Sequence, residues 1–212
     1  MSGADSTRES RRMKMGLIGG GGAGFIGKVH VTAASLDREA ELVAGAFSSD
    51  PSRGRDAAER FRVDPDRAYS SYQQLLDGER GRPDGDRIDF VSIATPNHMH
   101  AEVAIAALDA GFHVVCEKPM TTTVEDAQRL AKAVKTSGRV FALTHNYSGY
   151  PMVRQAREMI AGGDLGELLA VRVSYVQGWM HGMDSDSVPA RGAWKSDPAK
   201  NGSAGSLGDV GT

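Results

Sequence analysis

One lysine of this sequence is flanked by residue types that suit a catalytic turn. Lys118 stands between Glu117 and Pro119, directly after the apolar run at residues 113–116. An ammonium group fixed there can donate a hydrogen bond to a substrate hydroxyl and stabilise alkoxide character as a hydride leaves the carbon. Lys118 is therefore a candidate catalytic residue, and the alternative is an ordinary surface lysine.

A glycine-rich run near the amino end has the composition of a phosphate-binding turn. The run GGGGAGFIGKVH follows an apolar segment and matches G-x-G-x-x-G in two registers: Gly19, Gly21 and Gly24, or Gly22, Gly24 and Gly27. Such glycines allow a tight turn, a close approach to a pyrophosphate and close packing of the next helix. We predict a dinucleotide site that includes Phe25 and Ile26, against the alternative of a flexible turn.

The residues after the next apolar run leave the identity of the dinucleotide open. Ser48 and Ser49 stand where an acidic residue would normally bind the ribose 2′-hydroxyl. Asp50 is followed by a proline and is expected to start a helix. Arg53 could bind a 2′-phosphate or be a solvated helix charge. Ser48 and Arg53 are therefore candidate cofactor contacts, and both NAD and NADP remain candidates.

Alternating strand-like and helical patterns must position these segments. Strands are predicted at residues 15–18, 42–47, 88–94, 113–116 and 140–144. Helical patterns lie between them, such as the one that Thr123 and Asp126 begin and Gly138 ends. Parallel neighbours need such crossover connections. The predicted fold class is therefore α/β, with a doubly wound parallel sheet of the Rossmann type.

The pattern changes after Asn146. A helix is predicted at 152–160 and a strand at 168–176, followed by a polar, glycine-rich stretch. A single strand cannot bury its face alone, so either a partner chain covers it or the rest of a second sheet lies beyond Thr212, which we favour. Three parts are expected: a flexible tail (1–13), a Rossmann domain (14–146), and the beginning of an incomplete α+β substrate and oligomerisation domain (147–212).

Composition argues against several classes of partner. The 212 residues carry a formal net charge of −2 and no long basic run, so nucleic acid is not expected as a partner. No apolar stretch approaches the ~18 to 20 residues of a membrane span, and no signal peptide is evident, so we expect a cytoplasmic protein. Cys116 has no partner for a disulfide. His98 and His100 have no acidic or cysteine cluster beside them, so no metal site is predicted.

Three further segments at suitable distances make the chain resemble a known family. They are T-P-N-H after the strand at 88–94, E-K-P after the strand at 113–116, and a late G-D-V-G. With the glycine-rich turn, they resemble the Gfo/Idh/MocA family, which includes glucose-fructose oxidoreductase and inositol dehydrogenase. The resemblance runs from about Lys14 to Thr212.

The resemblance implies roles for several residues at strand ends. Lys118 would lie beside the nicotinamide and the reacting carbon, with Glu117 in the cofactor site and a cis bond before Pro119. The residues expected to line the cofactor are Thr95, Pro96, Asn97 and His98. Asn97 would lie near the ribose. Asn97 could instead cap a helix. Asn146 would contact cofactor or substrate, and could instead be a turn asparagine.

The resemblance also assigns roles late in the chain. The family pattern ends in D-x-x-x-H: Asp209 fills the aspartate position, as a catalytic and substrate residue, and the proton-accepting histidine would be the residue after Thr212. Asp209 could instead be a helix-start aspartate. Trp179 could support a sugar ring or belong to a core. Trp194 would approach the cofactor.

The expected function is hydride transfer between NAD or NADP and a secondary alcohol carbon of a sugar, cyclitol or related polyol. The alternatives are a glycosidase or epimerase that oxidises and re-reduces its cofactor within one turnover, and a non-catalytic dinucleotide sensor. A tightly retained cofactor would distinguish the first alternative, and binding without turnover the second. The resemblance implies a homo-oligomer for the full-length protein.

Overall fold

A five-stranded parallel sheet organises the chain. The computed structural model describes residues 11–22, 25–176, 197–202 and 205–210. The strands are β1 (Met13–Gly19), β2 (Ala40–Ala46), β3 (Phe90–Ala94), β4 (His113–Cys116) and β5 (Phe141–Leu143). Each predicted strand up to residue 144 has its counterpart here, with ends that differ by a few residues.

The strand order places a switch point beside the glycine-rich turn. The order is β2-β1-β3-β4-β5, with all neighbours parallel. The chain therefore winds to one side of β1 to form β2 and returns to the other side to form β3. At this reversal Gly19 pairs with Ala94. The predicted doubly wound fold is confirmed, and ligands of such sheets bind outside the carboxyl ends of the strands at this reversal.

Side-chain caps that the sequence provides begin some of the helices. The helices are α1 (Ile26–Leu36), α2 (Pro51–Phe61), α3 (Tyr72–Arg80), α4 (His100–Asp109), α5 (Val124–Ser137), α6 (Pro151–Ala161), α7 (Pro198–Asn201) and α8 (Gly205–Val210). Asp50 accepts hydrogen bonds from the first amides of α2, as predicted. Thr123 caps α5 by accepting from the Asp126 amide, and Gly138 ends that helix with a φ of +63°.

Two apolar cores cover the two faces of the sheet. Met15 and Leu17 of β1 pack with Ala57 and Ala58 of α2 on one face. Ile18 packs on the other face in the larger core, which α3, α4 and α5 cover. This opposite placement follows from the alternation of side chains along a strand. Both faces of the parallel sheet are thus buried, which fixes its carboxyl edge as the place where loops meet.

The predicted strand at residues 168–176 is wrong. Those residues have no regular secondary structure, and Leu169, Val173 and Val176 are 89%, 85% and 92% exposed. A strand needs a hydrogen-bonded neighbour. No strand of the described residues pairs with this segment, whose Tyr175 hydroxyl instead lies 2.9 Å from the Tyr147 hydroxyl. The helix predicted at 152–160 is present as α6.

The amino end of the described chain is attached to the sheet. Arg11 donates to both carboxylate oxygens of Asp89, and β1 begins at Met13, one residue before the predicted boundary. The rest of the predicted tail lies outside the described residues. No helix in the described ranges is long and apolar enough to span a membrane.

Candidate active site

The glycine-rich turn lies directly on the end of β3. Gly19 and Gly20 have φ values of +81° and +71°, which favour glycine. A Cβ at Gly19 would lie 2.6 Å from the carbonyl oxygen of Ala94. The turn thus places bare backbone at the switch point, where a dinucleotide phosphate would need close approach.

The tertiary structure gives a packing role to one glycine of the second register. Gly27 packs against Gly20, and a Cβ at Gly27 would lie 2.5 Å from the Gly20 carbonyl oxygen. Gly27 therefore lets α1 approach β1. Gly24 lies outside the described residues. Phe25 precedes α1 with its ring 76% exposed, and Ile26 is the first residue of the helix.

Contacts at the end of β2 hold the turn from the other side. The Gly21 amide donates to the Phe47 carbonyl at 3.1 Å, and Arg60 of α2 donates to the Gly21 carbonyl at 3.0 Å. A Cβ at Gly21 would lie 2.6 Å from the Phe47 carbonyl oxygen. In contrast, a Cβ at Gly22 would meet no atom of the described residues within 4 Å. Gly22 therefore borders open space that a ligand could fill.

The residues predicted to contact the ribose take part in the cap of α2. The Ser48 hydroxyl accepts from the Asp50 amide at 3.1 Å. Hydrogen bonds from the Arg53 amide and from Ser52 hold the pKa of the Asp50 carboxyl below its usual value. The Arg53 side chain is 63% exposed and lies 3.5 Å from the same carboxylate. Asp50 thus serves the helix, and both NAD and NADP stay candidates.

The E-K-P turn follows β4 and is fixed through the Glu117 side chain. Glu117 accepts from His30 Nε2 and from the Thr144 hydroxyl, both at 2.8 Å, and from the Lys118 amide at 3.2 Å. Burial opposes ionisation of Glu117, but the His30 and Thr144 hydrogen bonds outweigh it and lower the pKa. The predicted cis bond before Pro119 is present. Glu117 is thus an anionic anchor beside Lys118.

His100 connects the T-P-N-H loop with the E-K-P turn. Its Nδ1 lies 2.7 Å from the Pro119 carbonyl oxygen, and its Nε2 lies 3.0 Å from the Thr95 carbonyl oxygen. The side chain is fully buried, and burial lowers the pKa of His100 more than the two carbonyls raise it. A neutral ring donates to one of these oxygens only. His100 therefore holds the two loops at one separation.

An unpaired buried hydroxyl and the glycine backbone show whether a dinucleotide fits this site. Thr95 Oγ1 is buried without a hydrogen-bond partner among the described residues. Such a group is costly unless something pairs with it. It follows β3 at the switch point, where Gly19 and Gly20 leave no side chain in the way. These residues fit a nicotinamide dinucleotide.

The structure corrects the helix-cap alternative for Asn97. A 3-10 turn over Asn97–Met99 precedes α4, and the Asn97 side chain does not cap that helix. Its amide nitrogen donates instead to the backbone and side-chain oxygens of Asn201, at 3.2 and 2.9 Å. This contact ties α7 to the T-P-N-H loop. Pro96 is half-buried beside it, and His98 is exposed.

Other predicted site residues lie further out or are not described. Asn146 is exposed and begins a 3-10 turn over Asn146–Gly149. Asp209 belongs to α8, and its side chain is not described. Trp179 and Trp194 lie outside the described residues. No group of three or more metal-binding side chains occurs in the described ranges. These assignments stay predictions.

Sequence reasoning missed the residues that hold the loops. His30, Ser92 and Thr144 were not singled out, and His100 was considered only as a metal ligand. A weak signal existed for His30, because it shares a helix face with Gly27 and Ala34, so it faces the sheet. None existed for its partner, which is 87 residues away.

Two family models match consecutive parts of the chain. The model of an oxidoreductase family with an NAD-binding Rossmann fold matches residues 13–145. The model of the GFO/IDH/MocA C-terminal domain matches residues 153–212.

Individual relatives agree with this match. The uncharacterised oxidoreductase YfiI of Bacillus subtilis is 37% identical over 96% of this chain and 51% of its own length. Levoglucosan dehydrogenase of Pseudarthrobacter phenanthrenivorans is 34% identical over 95% of this chain and 49% of its own. The crystal structure of an inositol dehydrogenase homologue from Azotobacter vinelandii, complexed with NAD⁺, has a TM-score of 0.89 at 41% identity, over 96% of this chain and 52% of that chain. The chain spans about half the length of these relatives.

Proposed function

Because the chain belongs to the GFO/IDH/MocA oxidoreductase family, we propose that it is part of an NAD(P)-dependent dehydrogenase of sugars, cyclitols or related polyols. The observation that carries the proposal is the His100 bridge between Thr95 and Pro119. It gathers the T-P-N-H loop and Lys118 at the carboxyl edge, beside the glycine-rich turn. A cofactor and a reacting alcohol need that proximity.

The carboxyl edge of the sheet would hold the dinucleotide. The turn at Gly19–Gly22 would bind its phosphates, because the first amides of α1 attract negative charge. Thr95 and Asn97 would line its nicotinamide half, and Ser48 and Arg53 its adenosine ribose. When bound, the nicotinamide supplies the acceptor or donor of hydride.

Lys118 handles the oxygen of the reacting carbon. Its ammonium group donates a hydrogen bond to the substrate hydroxyl and stabilises the negative charge that grows there as the C–H bond breaks. The Lys118 charge also helps to lower the pKa of the neighbouring Glu117 carboxyl. Asp209, in α8, orients the substrate or its proton-accepting partner, and Asn146, Trp179 and Trp194 complete the site.

The names of the relatives support the substrate class. Levoglucosan is a sugar derivative and inositol is a cyclitol, and both carry secondary alcohols. A lysine that binds a hydroxyl suits either of them. Other residues that line the substrate site would select the particular compound.

Fluorescence titration of the 212-residue chain with NADH and NADPH tests the cofactor part. The decisive variant is Gly22→Val, because its side chain enters open space at the turn and should block the phosphates without disturbing the fold. Gly54→Ala in α2 is the control, since a Cβ there also meets no atom closer than 3.7 Å. We expect saturable binding to the unchanged chain and to the control, and none to Gly22→Val. A folded, unchanged chain that binds neither nucleotide would contradict the proposal.

The titration also compares the two cofactors. A lower Kd for NADPH would assign Arg53 to the 2′-phosphate, and Arg53→Ala should then weaken NADPH alone. A lower Kd for NADH would assign the Ser48 region to the free ribose. Turnover is then measured with levoglucosan and myo-inositol as probes.

A further inference from the structure

A buried chain of hydrogen bonds links the helix behind the glycine-rich turn to the catalytic turn. His30 of α1 lies between Ser92 of β3 and Glu117, with Nδ1 2.7 Å from the Ser92 hydroxyl and Nε2 2.8 Å from Glu117 Oε1. The chain continues to the Thr144 hydroxyl, 2.8 Å from the same oxygen. Side chains alone thus connect α1, β3 and the residues that directly follow β4 and β5.

The chemistry of Glu117 fixes the direction of one of these bonds. An ionised carboxylate only accepts, so His30 Nε2 carries a hydrogen and donates it. The Ser92 hydroxyl can accept from Nδ1 or donate to it, so both ring nitrogens have a partner. The side chains of His30 and Glu117 are only 8% and 14% exposed. Little water competes with these bonds, which increases their effect on geometry.

Ser92, His30 and Glu117 also have the residue types of a hydrolytic triad, but their geometry excludes that use. Ser92 is 1% exposed, so no substrate carbonyl can reach its oxygen. The residues therefore act on structure within the protein. Their only direct neighbour with a proposed chemical role is Lys118, whose amide donates to Glu117 Oε2 at 3.2 Å.

His30 is also fixed to the cofactor side of the site. It follows Gly27 by three residues, on the same face of α1, and Gly27 contacts Gly20 of the glycine-rich turn. A displacement of the turn therefore displaces His30, and through it the Glu117 carboxylate.

We propose that His30 is a positioning residue that sets the place of Lys118 relative to the bound dinucleotide, acting through Glu117. This inference rests on the proposed function. Near-attack geometry is sensitive to shifts of about 1 Å, which can cost ~100-fold in rate. A hydrogen bond from α1 to the residue before the catalytic lysine couples the two halves of that geometry.

Two substitutions of His30 test its two hydrogen bonds separately, because each keeps one of them and removes the other. The amide nitrogen of His30→Gln can take the place of Nε2 and still donate to Glu117. The shorter His30→Asn can replace only Nδ1, so it keeps the Ser92 contact and loses Glu117. The readout is acetylation of Lys118 by an amine-specific acetylating reagent, quantified by peptide mass spectrometry with and without NADH. Each variant receives NADH at the same multiple of its own Kd, so that occupancy is equal.

In the unchanged chain, NADH at about 100 times its Kd should slow acetylation of Lys118 by up to ~100-fold. His30→Gln should keep this protection, and His30→Asn should lose most of it while still binding NADH. If His30→Asn does not fold, His30→Ala takes its place with the same expectation, because it also lacks the donor to Glu117.

The outcomes distinguish the two proposals. Absence of NADH binding to the unchanged chain contradicts the proposed function itself. Binding without protection of Lys118 contradicts its place beside the nicotinamide. Equal protection in all variants, or equal loss in His30→Gln and His30→Asn, overturns the positioning role of His30.

Discussion

At the scale of single residues, Lys118 is placed by bonds made to its neighbours. Glu117 is held by His30 and Thr144, and the Pro119 carbonyl lies against His100. The two residues that flank the lysine are thus both anchored in the interior. The backbone of Lys118, from which its long side chain extends, is therefore held in a defined position.

Replacement of Lys118 by methionine should remove catalysis and leave binding. The substitution keeps much of the side-chain length and deletes the charge, so turnover should fall by about 10²- to 10⁴-fold. Turnover is measured as NADH formation with levoglucosan or myo-inositol in a form of the protein that shows activity. The Kd for NADH should change by less than about threefold, since the phosphates lie on the glycine-rich turn. A variant with unchanged turnover would remove Lys118 from the mechanism.

His100 should make the stability of the fold depend on pH in the mildly acidic range. Burial lowers the pKa of the folded His100 below the ordinary value of 6.5. The unfolded chain therefore takes up a proton first as the pH falls. The contribution to stability is complete above pH 6.5 and is lost as the pH falls from there through the folded pKa, with a slope of at most about 1.4 kcal/mol per pH unit.

Urea unfolding from about pH 7.5 to about pH 5 measures this slope. His100→Phe is the matched variant, because it keeps a buried ring that cannot take up a proton. Its free energy of unfolding should change less over the same range, whatever its absolute value. Equal slopes in both proteins would assign the dependence to other groups.

At the scale of elements, the connection between β2 and β3 is held by a buried ion pair. Glu79 of α3 is fully buried and accepts from Arg67 Nε at 3.0 Å and Nη2 at 2.5 Å. It also accepts from the Tyr69 hydroxyl and from the Ile88 amide, at 3.0 and 3.1 Å. The Glu79 carboxylate thus holds the segment between β2 and β3 in place.

Removal of the Glu79 charge should destabilise the protein strongly. Glu79→Gln leaves Arg67, which is 8% exposed, without its buried anionic partner, and its remaining carboxylate, that of Asp86, is half-exposed and lies 3.5 Å away. The expected loss is about 3 to 5 kcal/mol in the free energy of unfolding. The control is Asp84→Asn in the exposed pair Arg87–Asp84, which should cost less than about 1 kcal/mol. Urea unfolding compares them, and similar losses would contradict the assigned importance of burial.

At the scale of the whole molecule, packing is uneven along the chain. No residue of α6 is buried, whereas α2 buries Ala57 and Ala58 against the sheet. The segment at 168–176 is exposed throughout. Segments with few buried contacts open more readily than packed ones.

Between residues 13 and 176, limited trypsin digestion should therefore cut this chain first after residue 150. The earliest cuts should follow Arg154, Arg157 or Arg172. Arg53 and Arg55 of α2 should be cut later, although they are also accessible at the surface, because α2 must first leave the core. Mass spectrometry of early fragments identifies the order. First cuts within α2 would show that local packing does not set the order of opening.

The sequence by itself determined the class of fold, the family and some of the helix ends. The strand periodicity, the Asp50 and Thr123 caps and the Gly138 end depend on residues within a few positions of one another. The loops after β3 and β4 were also predictable as ligand loops, because the carboxyl ends of parallel strands meet at one edge. Each of these signals is local, or follows from topology alone.

The tertiary structure alone decided which residues hold the site together. His30 meets Glu117 across 87 positions and Ser92 across 62, and Asn97 meets Asn201 across 104. Only the strand order brings such residues together, and no periodicity records it. The same reason explains the packing role of Gly27, which depends on its contact with Gly20. It also explains residues 168–176, whose alternating pattern favours a strand that no described neighbour completes.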